Sequence, residues 1–439
     1  MPVGLRVLFE PRSLVVVGAS ELKKDDELYS KQFSLLVKNL SEFKGKIRIV
    51  DLSGKLLGSE NGFGKIPKGI DLAVVALPKT LLVKNLRKIL GKANGLVLVS
   101  DEVEPKQLGE LSDLSKRRRL ALLGPASLGV FNTEINLAAA ISKNLEKGEI
   151  AIISQNRDIT ATIVNQARAL GKGVSKVACT GDKVGVDEVD LINYLAADKK
   201  TGAICLHVEK PRNSRKLIET IRTVTKEKPI LVLKSGRVEK IFESAVRQAR
   251  GIWVRGVREM LEAADILSKQ PIMRGKRVTI VTNFRGQGDM AQRYLEDNGL
   301  SVVGPSEEVA KKLVNKHRVK VGEFIDVGVS AKADQYRSVL DELLSGNDAD
   351  GVLVICVTGL GHLTVEELPK IMEKGKKSKE MTVVGVAPFL EERRDISRVL
   401  QDMRAPMCNS VGMAAVAFRV SNTRHEFLSW LEKQAPKSK

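Results

Sequence analysis

The residues able to do chemistry in this chain are few and far apart. Gly18-Ala19-Ser20 follows the run Leu14-Val15-Val16-Val17, and small residues closing a β-branched strand let backbone N–H groups approach an anion such as a phosphate. The four histidines, His207, His317, His362 and His425, read as lying in a strand, a basic segment, a loop and a terminal helix, and each is expected to be structural. Cys179, Cys205, Cys356 and Cys408 form no CxxC pair, so neither a disulfide framework nor a zinc cluster is indicated and no metal is expected. Basic residues do cluster. Lys116-Arg117-Arg118-Arg119 is one group, and Arg247, Arg250, Arg255 and Arg258 surround Trp253. Others are Lys311 to Lys320 and Lys374 to Lys379. If one helix continues through them, Arg247, Arg250 and Arg258 recur at near-helical spacing while Trp253 offers a planar face to a base, an arrangement suited to RNA.

The elements that must position these residues follow from composition. The chain has 439 residues, 43% hydrophobic but only 4% aromatic, which at roughly 150 residues per domain predicts about three domains. Its apolar content is Val, Ile, Leu and Ala, as buried parallel strands covered by helices require. The formal charge is +19, from 72 basic and 53 acidic residues. Such a field attracts polyanions, whether RNA or a ribonucleoprotein, anionic lipid or a phosphorylated metabolite, and charge alone does not choose between them. No secretory leader and no apolar run of the roughly 18 residues a membrane span needs is present, so a soluble, reduced, cytoplasmic protein without a membrane partner is expected.

Strands are predicted along the run from Leu14 that closes in the turn Gly18-Ala19-Ser20, and at 46–50, 71–77 and 95–100, with helical segments such as KTLLVKNLRKILGKA between them. This is a βαβ series. The polar stretch Ser142 to Gly148 separates it from a second series at 150–153, 201–208 and 229–234. Pro271 stops the helical pattern, and a third series begins at Arg277, with later strands at 350–357 and 382–387, a terminal helix through Trp430 and a frayed end from Gln434. The expected fold is α/β, three consecutive Rossmann- or flavodoxin-like domains with mainly parallel sheets, over 1–141, 149–268 and 275–439.

Ordered landmarks run through all three series: Phe9-Glu10-Pro11-Arg12-Ser13 leading to Gly18-Ala19-Ser20, Asp71-Leu72-Ala73-Val74, Gly124-Pro125 with Leu128-Gly129, Ile152-Ile153-Ser154-Gln155, Asp187-Glu188, Leu233-Lys234-Ser235-Gly236-Arg237, and Val281-Thr282-Asn283 with Gly286 and Gly288. In this order the chain resembles the α part of the NDP-forming acyl-CoA synthetases, relatives of the succinyl-CoA synthetase α subunit. The resemblance implies a first domain that binds coenzyme A, at Gly18, Ala19, Ser20, Pro78, Gly124 and Pro125. It implies a second domain carrying a phosphorylated histidine and a phosphate cradle at Ser154, Gln155, Asn156 and Arg157, and a third, flavodoxin-like domain. An ATP-grasp module, as a β-type subunit, would use the nucleotide.

The chain departs from that pattern where the chemistry should be. The family's histidine loop is missing beyond Gly236-Arg237, where Val238-Glu239-Lys240 leads directly into a helical stretch. Asn156-Arg157 stands where the cradle needs small residues, and Glu209 matches the acidic position that orients the histidine in relatives. Asp51-Leu52-Ser53 replaces the family's Asn-Pro-Lys, and Asp101-Glu102 adds negative charge, so coenzyme A binding is expected to be weak or lost. The reading is a catalytically degenerate relative acting by binding, on RNA or a ribosomal particle. The alternatives are a sensor of coenzyme A, acyl-CoA or nucleotide, and an ADP-forming acyl-CoA ligase α subunit with an ATP-grasp partner.

Overall fold

β-branched runs become strands because their stiff side chains pack well on a pleated surface. The computed structural model describes residues 4–56, 58–60, 62, 66–101, 103–236, 240–377, 381–388, 390 and 393–434. Glu102, Arg237, Val238, Glu239, Lys379 and the tail beyond Gln434 lie outside the described residues, as do the side chains of Arg118, Lys376 and Lys377. By internal packing the chain divides into one unit of residues 1–166 and 174–253 and another of 167–173 and 254–439.

The first unit holds two sheets. In the first, β1 (Ser13–Gly18), β2 (Lys46–Asp51), β3 (Ile70–Val75), β4 (Ala93–Leu98) and β5 (Ala121–Leu123) run parallel in the order β2-β1-β3-β4-β5. In the second, β6 (Gly129–Asn132) and β7 (Leu137–Ala140) form an antiparallel pair. It joins β8 (Lys147–Ser154), β9 (Val174–Cys179), β10 (Ala203–Val208), β11 (Ile230–Lys234) and β12 (Ile252–Trp253) in the order β12-β11-β10-β8-β9-β6-β7. The β6–β7 pair, grouped by sequence with the first series, thus belongs to the second sheet. Nor is 142–148 wholly a linker, because β8 starts at Lys147.

The second unit carries one sheet. It comprises β13 (Arg277–Thr282), β14 (Ser301–Val302), β15 (Lys320–Val321), β16 (Ile325–Asp326), β17 (Gly351–Ile355), β18 (Thr382–Val386) and β19 (Met407–Cys408), ordered β15-β16-β13-β17-β18-β19 with β14 also pairing β13. The helix Val257–Lys269 also belongs to this unit, whose longer segment begins at Val254. The fold is therefore α/β with mainly parallel sheets, as expected.

In the first two sheets the first parallel strand has its successor on one side and the third parallel strand on the other, and in the third sheet β13 lies between β16 and β17. The crevice beyond the carboxyl ends of those first and third strands is a topological switch point, where ligands bind in open α/β folds. These crevices are the places to look for a site.

Candidate functional site

At the second sheet's switch point, parallel register sets His207 of β10 beside Ser154 at the end of β8, and Ser235 follows β11. His207 is 1% exposed. Its Nδ1 lies 2.9 Å from Ser154 Oγ and its Nε2 2.9 Å from Ser235 Oγ. Ser154 Oγ donates to the carbonyl of Asn156 at 3.3 Å. In the tautomer with the proton on Nδ1, Ser154 accepts from Nδ1–H and the Nε2 lone pair accepts from Ser235. Burial, and after it the Lys234 cation, push the imidazole pKa down to about 4, so the ring is neutral at pH 7. Lys234 Nζ donates to the carbonyls of Glu209 (2.8 Å) and Ser235 (3.4 Å), and Ser235 Oγ lies 3.5 Å from Glu209 Oε1.

The expected phosphate cradle beside it is filled from within. Asn156 Oδ1 accepts from the N–H groups of Asp158 (2.8 Å) and Ile159 (3.0 Å), the first donors of the helix Arg157–Ala169. Those are the groups an anion would need. Gln155 Oε1 accepts from the N–H groups of Glu209 (3.2 Å) and Lys210 (2.9 Å). The Arg157 guanidinium, 18% exposed, pairs with Asp101 at 3.1 Å and donates to the Val99 carbonyl. Asp101 also accepts from Tyr29 Oη. Burial alone would raise the Asp101 pKa, but Tyr29 and Arg157 outweigh it and lower it.

The first sheet's switch point is filled by a carboxylate that sequence reasoning treated only as a departure from the family. Buried Asp51, the last residue of β2, accepts six hydrogen bonds. Oδ1 takes Ser20 N (2.8 Å), Ser53 N (3.1 Å) and Ser53 Oγ (2.7 Å). Oδ2 takes Ser20 Oγ (2.7 Å), Lys55 N (3.0 Å) and Leu56 N (2.8 Å). Burial alone would raise its pKa, but the bonds from Ser20, Ser53 and Leu56 hold it far below the usual carboxylate range. The Ser20 N–H that a phosphate of coenzyme A would need is committed to this internal anion, so the turn as built does not fit a phosphate. Gly18 has its own reason to be glycine: a Cβ there would sit 2.1 Å from the Phe33 ring.

The other residues implied for coenzyme A have packing roles. The Pro78 carbonyl accepts the first N–H groups of the helix Lys79–Leu90, from Leu81 (3.1 Å) and Leu82 (2.9 Å). Gly124 has φ +102°, its N–H donates to the Thr180 carbonyl, and a Cβ there would lie 2.3 Å from Leu98 O. Pro125 and Ala19 are buried and Ser20 is half-buried. Asn283 bridges the third switch point, donating to Val357 O at 2.8 Å and accepting from Val357 N at 3.0 Å. Gly288 makes room for the Phe324 ring.

The remaining histidines belong to the second unit, whereas Gly236 is in the first. His317 ends the helix Glu307–His317, His362 is in an exposed loop, and His425 bonds Ser429 within the last helix. Among the described residues, no group of His, Cys, Asp and Glu is placed to hold a metal. The four cysteines are buried and none is in a disulfide. No helix among them is long and apolar enough to cross a membrane.

The aromatic-centred basic cluster needs correction. Trp253 is only 8% exposed and packs edge-on against Phe242 in the core, so it has no face for a base. The continuous helix also fails: one helix ends at Gln248, β12 intervenes, and the next begins at Val257. Arg247 pairs with Glu243 at 2.8 Å, and Arg250 lies in the same unit, whereas Arg255 and Arg258 belong to the other. Lys116, Arg117 and Arg119 are exposed near the end of the helix Pro105–Arg118. Arg117 also lines a groove of about 390 Å³ with Arg87, Leu90, Glu110, Asp113 and Leu114, a mixed-charge surface in which Arg87 pairs with Glu110 at 3.4 Å.

The fold is thus three α/β sheets with filled anion turns at the first two switch points. Residues 147–241 match the model of the succinyl-CoA ligase like flavodoxin domain. The chain is 28% identical over 426 residues to the α subunit of ADP-forming acetate–CoA ligase II of Pyrococcus furiosus, covering 89% of itself and 91% of that subunit. It is also 28% identical to the ADP-forming acetate–CoA ligase I of Archaeoglobus fulgidus, but spans 54% of it. Among solved structures, a crystallised protein of Pyrococcus horikoshii OT3 matches with a TM-score of 0.86 and 27% identity, over 97% of this chain and 99% of that one. The resemblance drawn from the ordered motifs holds along nearly the whole chain.

Proposed function

We propose that this chain is the α-type component of an ADP-forming acyl-CoA ligase, working in the cytoplasm with an ATP-grasp module that handles the nucleotide. Its sheets would then form a coenzyme A-type domain over 1–141, a ligase-type domain over 149–268 and a third flavodoxin-like domain over 275–439. The observation that supports this most is the likeness to the Pyrococcus furiosus acetate–CoA ligase α subunit across nine-tenths of both chains. Within that role, no histidine of this chain carries phosphate. His207 is buried between two serines, and no other histidine occurs before His317.

A second reading, the catalytically degenerate relative acting by binding, is favoured by one observation. Both expected phosphate turns spend their N–H donors on the chain's own side chains, Asp51 and Asn156. Its extension to RNA or a ribosomal particle is left with the +19 charge as support, since Trp253 is in the core. A sensor of coenzyme A or nucleotide would need a phosphate site other than those two turns.

One mixing experiment separates these readings. The chain is combined with an ATP-grasp β subunit of an acetate–CoA ligase, ATP, coenzyme A and acetate. Co-elution with acetyl-CoA formation is expected. Co-elution without turnover would select the degenerate reading, and absence of both would overturn the α-type reading.

A further inference from the structure

The Ser154–His207–Ser235 line has a property that a merely satisfied buried histidine does not need. It ends on half-buried Ser235, just past the carboxyl end of β11. A nucleophile bonded to a base that is itself oriented by a third group is the arrangement that activates serine. The geometry allows it: with the proton on Nδ1, Ser154 orients the ring 2.9 Å away and Nε2 faces Ser235 Oγ at 2.9 Å.

The surroundings select the electrophile. At this edge the groups that would hold a phosphoryl group are committed: the Asp158 and Ile159 N–H groups to Asn156, Arg157 to Asp101 and Val99, and Lys234 to two carbonyls. A neutral hydroxyl with a neutral base suits an uncharged acyl carbonyl better than a phosphate.

We propose that Ser235 is an acyl-accepting nucleophile, with His207 as its general base and Ser154 as the residue that positions the imidazole, acting on activated acyl groups held as esters or thioesters. In the step, the bond from Ser235 Oγ to the acyl carbon forms and the bond from that carbon to the leaving oxygen or sulfur breaks. The Ser235 proton passes to His207 Nε2 and from there to the leaving group. Water activated by the same nitrogen then releases the carboxylic acid and restores the serine.

The proposal stands apart from the ligase reading, and its assay contains neither ATP nor an ATP-grasp module. The full chain is incubated separately with p-nitrophenyl acetate and with acetyl-CoA, quenched in acid and peptide-mapped. Acetyl on Ser235 from either donor is expected, and labelling by the ester alone assigns oxygen esters as the donor class. Ser235→Ala should lose the label at this peptide and Ser235→Cys should regain it on sulfur. His207→Gln should slow labelling by about 10²–10⁴-fold. With Lys234 and Glu209 the charged groups facing His207 and its serine, the labelling rate should be flat with pH above roughly 5, because the ring is already neutral there. Absence of acetyl on Ser235 in the unsubstituted chain with both donors would overturn the proposal. So would labelling that His207→Gln leaves unchanged.

Discussion

Replacing Asp51 with Asn tests whether this carboxylate is what fills the first switch point. Each carboxylate oxygen accepts three donors, and each set includes two backbone N–H groups: Ser20 and Ser53 on Oδ1, Lys55 and Leu56 on Oδ2. An amide keeps one oxygen, so in either orientation its NH₂ confronts two part-buried N–H donors that have lost their acceptor. Each such loss costs about 1–3 kcal/mol, giving roughly 3 kcal/mol for the pair and a fall in Tm of roughly 6–12 °C for the unit that contains it. Hydrogen exchange localises the effect, since roughly 3 kcal/mol corresponds to about hundredfold faster exchange at those four amides. The acid dependence supplies a second sign. A carboxyl whose folded pKa is depressed stabilises fully above its unfolded value and loses that stabilisation as pH falls toward the folded one. Asp51→Asn should therefore flatten the acid limb of the stability profile. Unchanged exchange at Ser20, Ser53, Lys55 and Leu56, with an unchanged Tm, would refute the role given to this carboxylate.

Other outcomes follow from the same geometry. In the second unit, buried Lys172 pairs with Glu262 (2.6 Å) and Asp265 (3.0 Å) and donates to Met407 O, while Lys269 also pairs with Asp265. Lys172→Met leaves two carboxylates facing one cation and should cost that unit about 3–5 kcal/mol in calorimetry; a change under 1 kcal/mol would contradict the network's importance, to the precision of ~0.5 kcal/mol. Gly18→Val should lower the Tm whether or not coenzyme A is present, because the clash is with Phe33; loss of coenzyme A binding with an unchanged Tm would instead place a ligand at that turn. For RNA, replacing Arg247 and Arg250 with Glu should weaken low-salt binding no more than replacing Lys116 and Arg117, since buried Trp253 cannot add stacking; a selective loss at the first pair would restore a specific site there.

The strands that could be read from sequence were the buried parallel ones. Leu14 to Gly18 and Gly351 to Ile355 are covered on both faces, so they appear as unbroken apolar runs. The two-residue strands β14, β15, β16 and β19 carry no such pattern. The β6–β7 pair was not among the predicted strands, because Leu137-Ala138-Ala139-Ala140 has little β propensity and the antiparallel pairing of β6 with β9 depends on tertiary context. The absence of a histidine after Gly236 was plain in the sequence. What fills the vacated chemistry was not: Asp51 meets Ser20 across two strand ends, and Ser154, His207 and Ser235 come together only through the register of β8, β10 and β11. Trp253 misled for the complementary reason, because an aromatic among arginines looks the same in sequence whether its ring faces water or Phe242.

The central claim is an acyl-CoA-ligase α-type scaffold whose histidines carry no phosphoryl group. Its most direct test is mass spectrometry under non-acidic conditions after incubating the chain with an ATP-grasp β subunit and ATP. The account predicts no phosphate on His207, His317, His362 or His425. Phosphohistidine at His207, which would require the buried ring to leave Ser154 and Ser235, would contradict it.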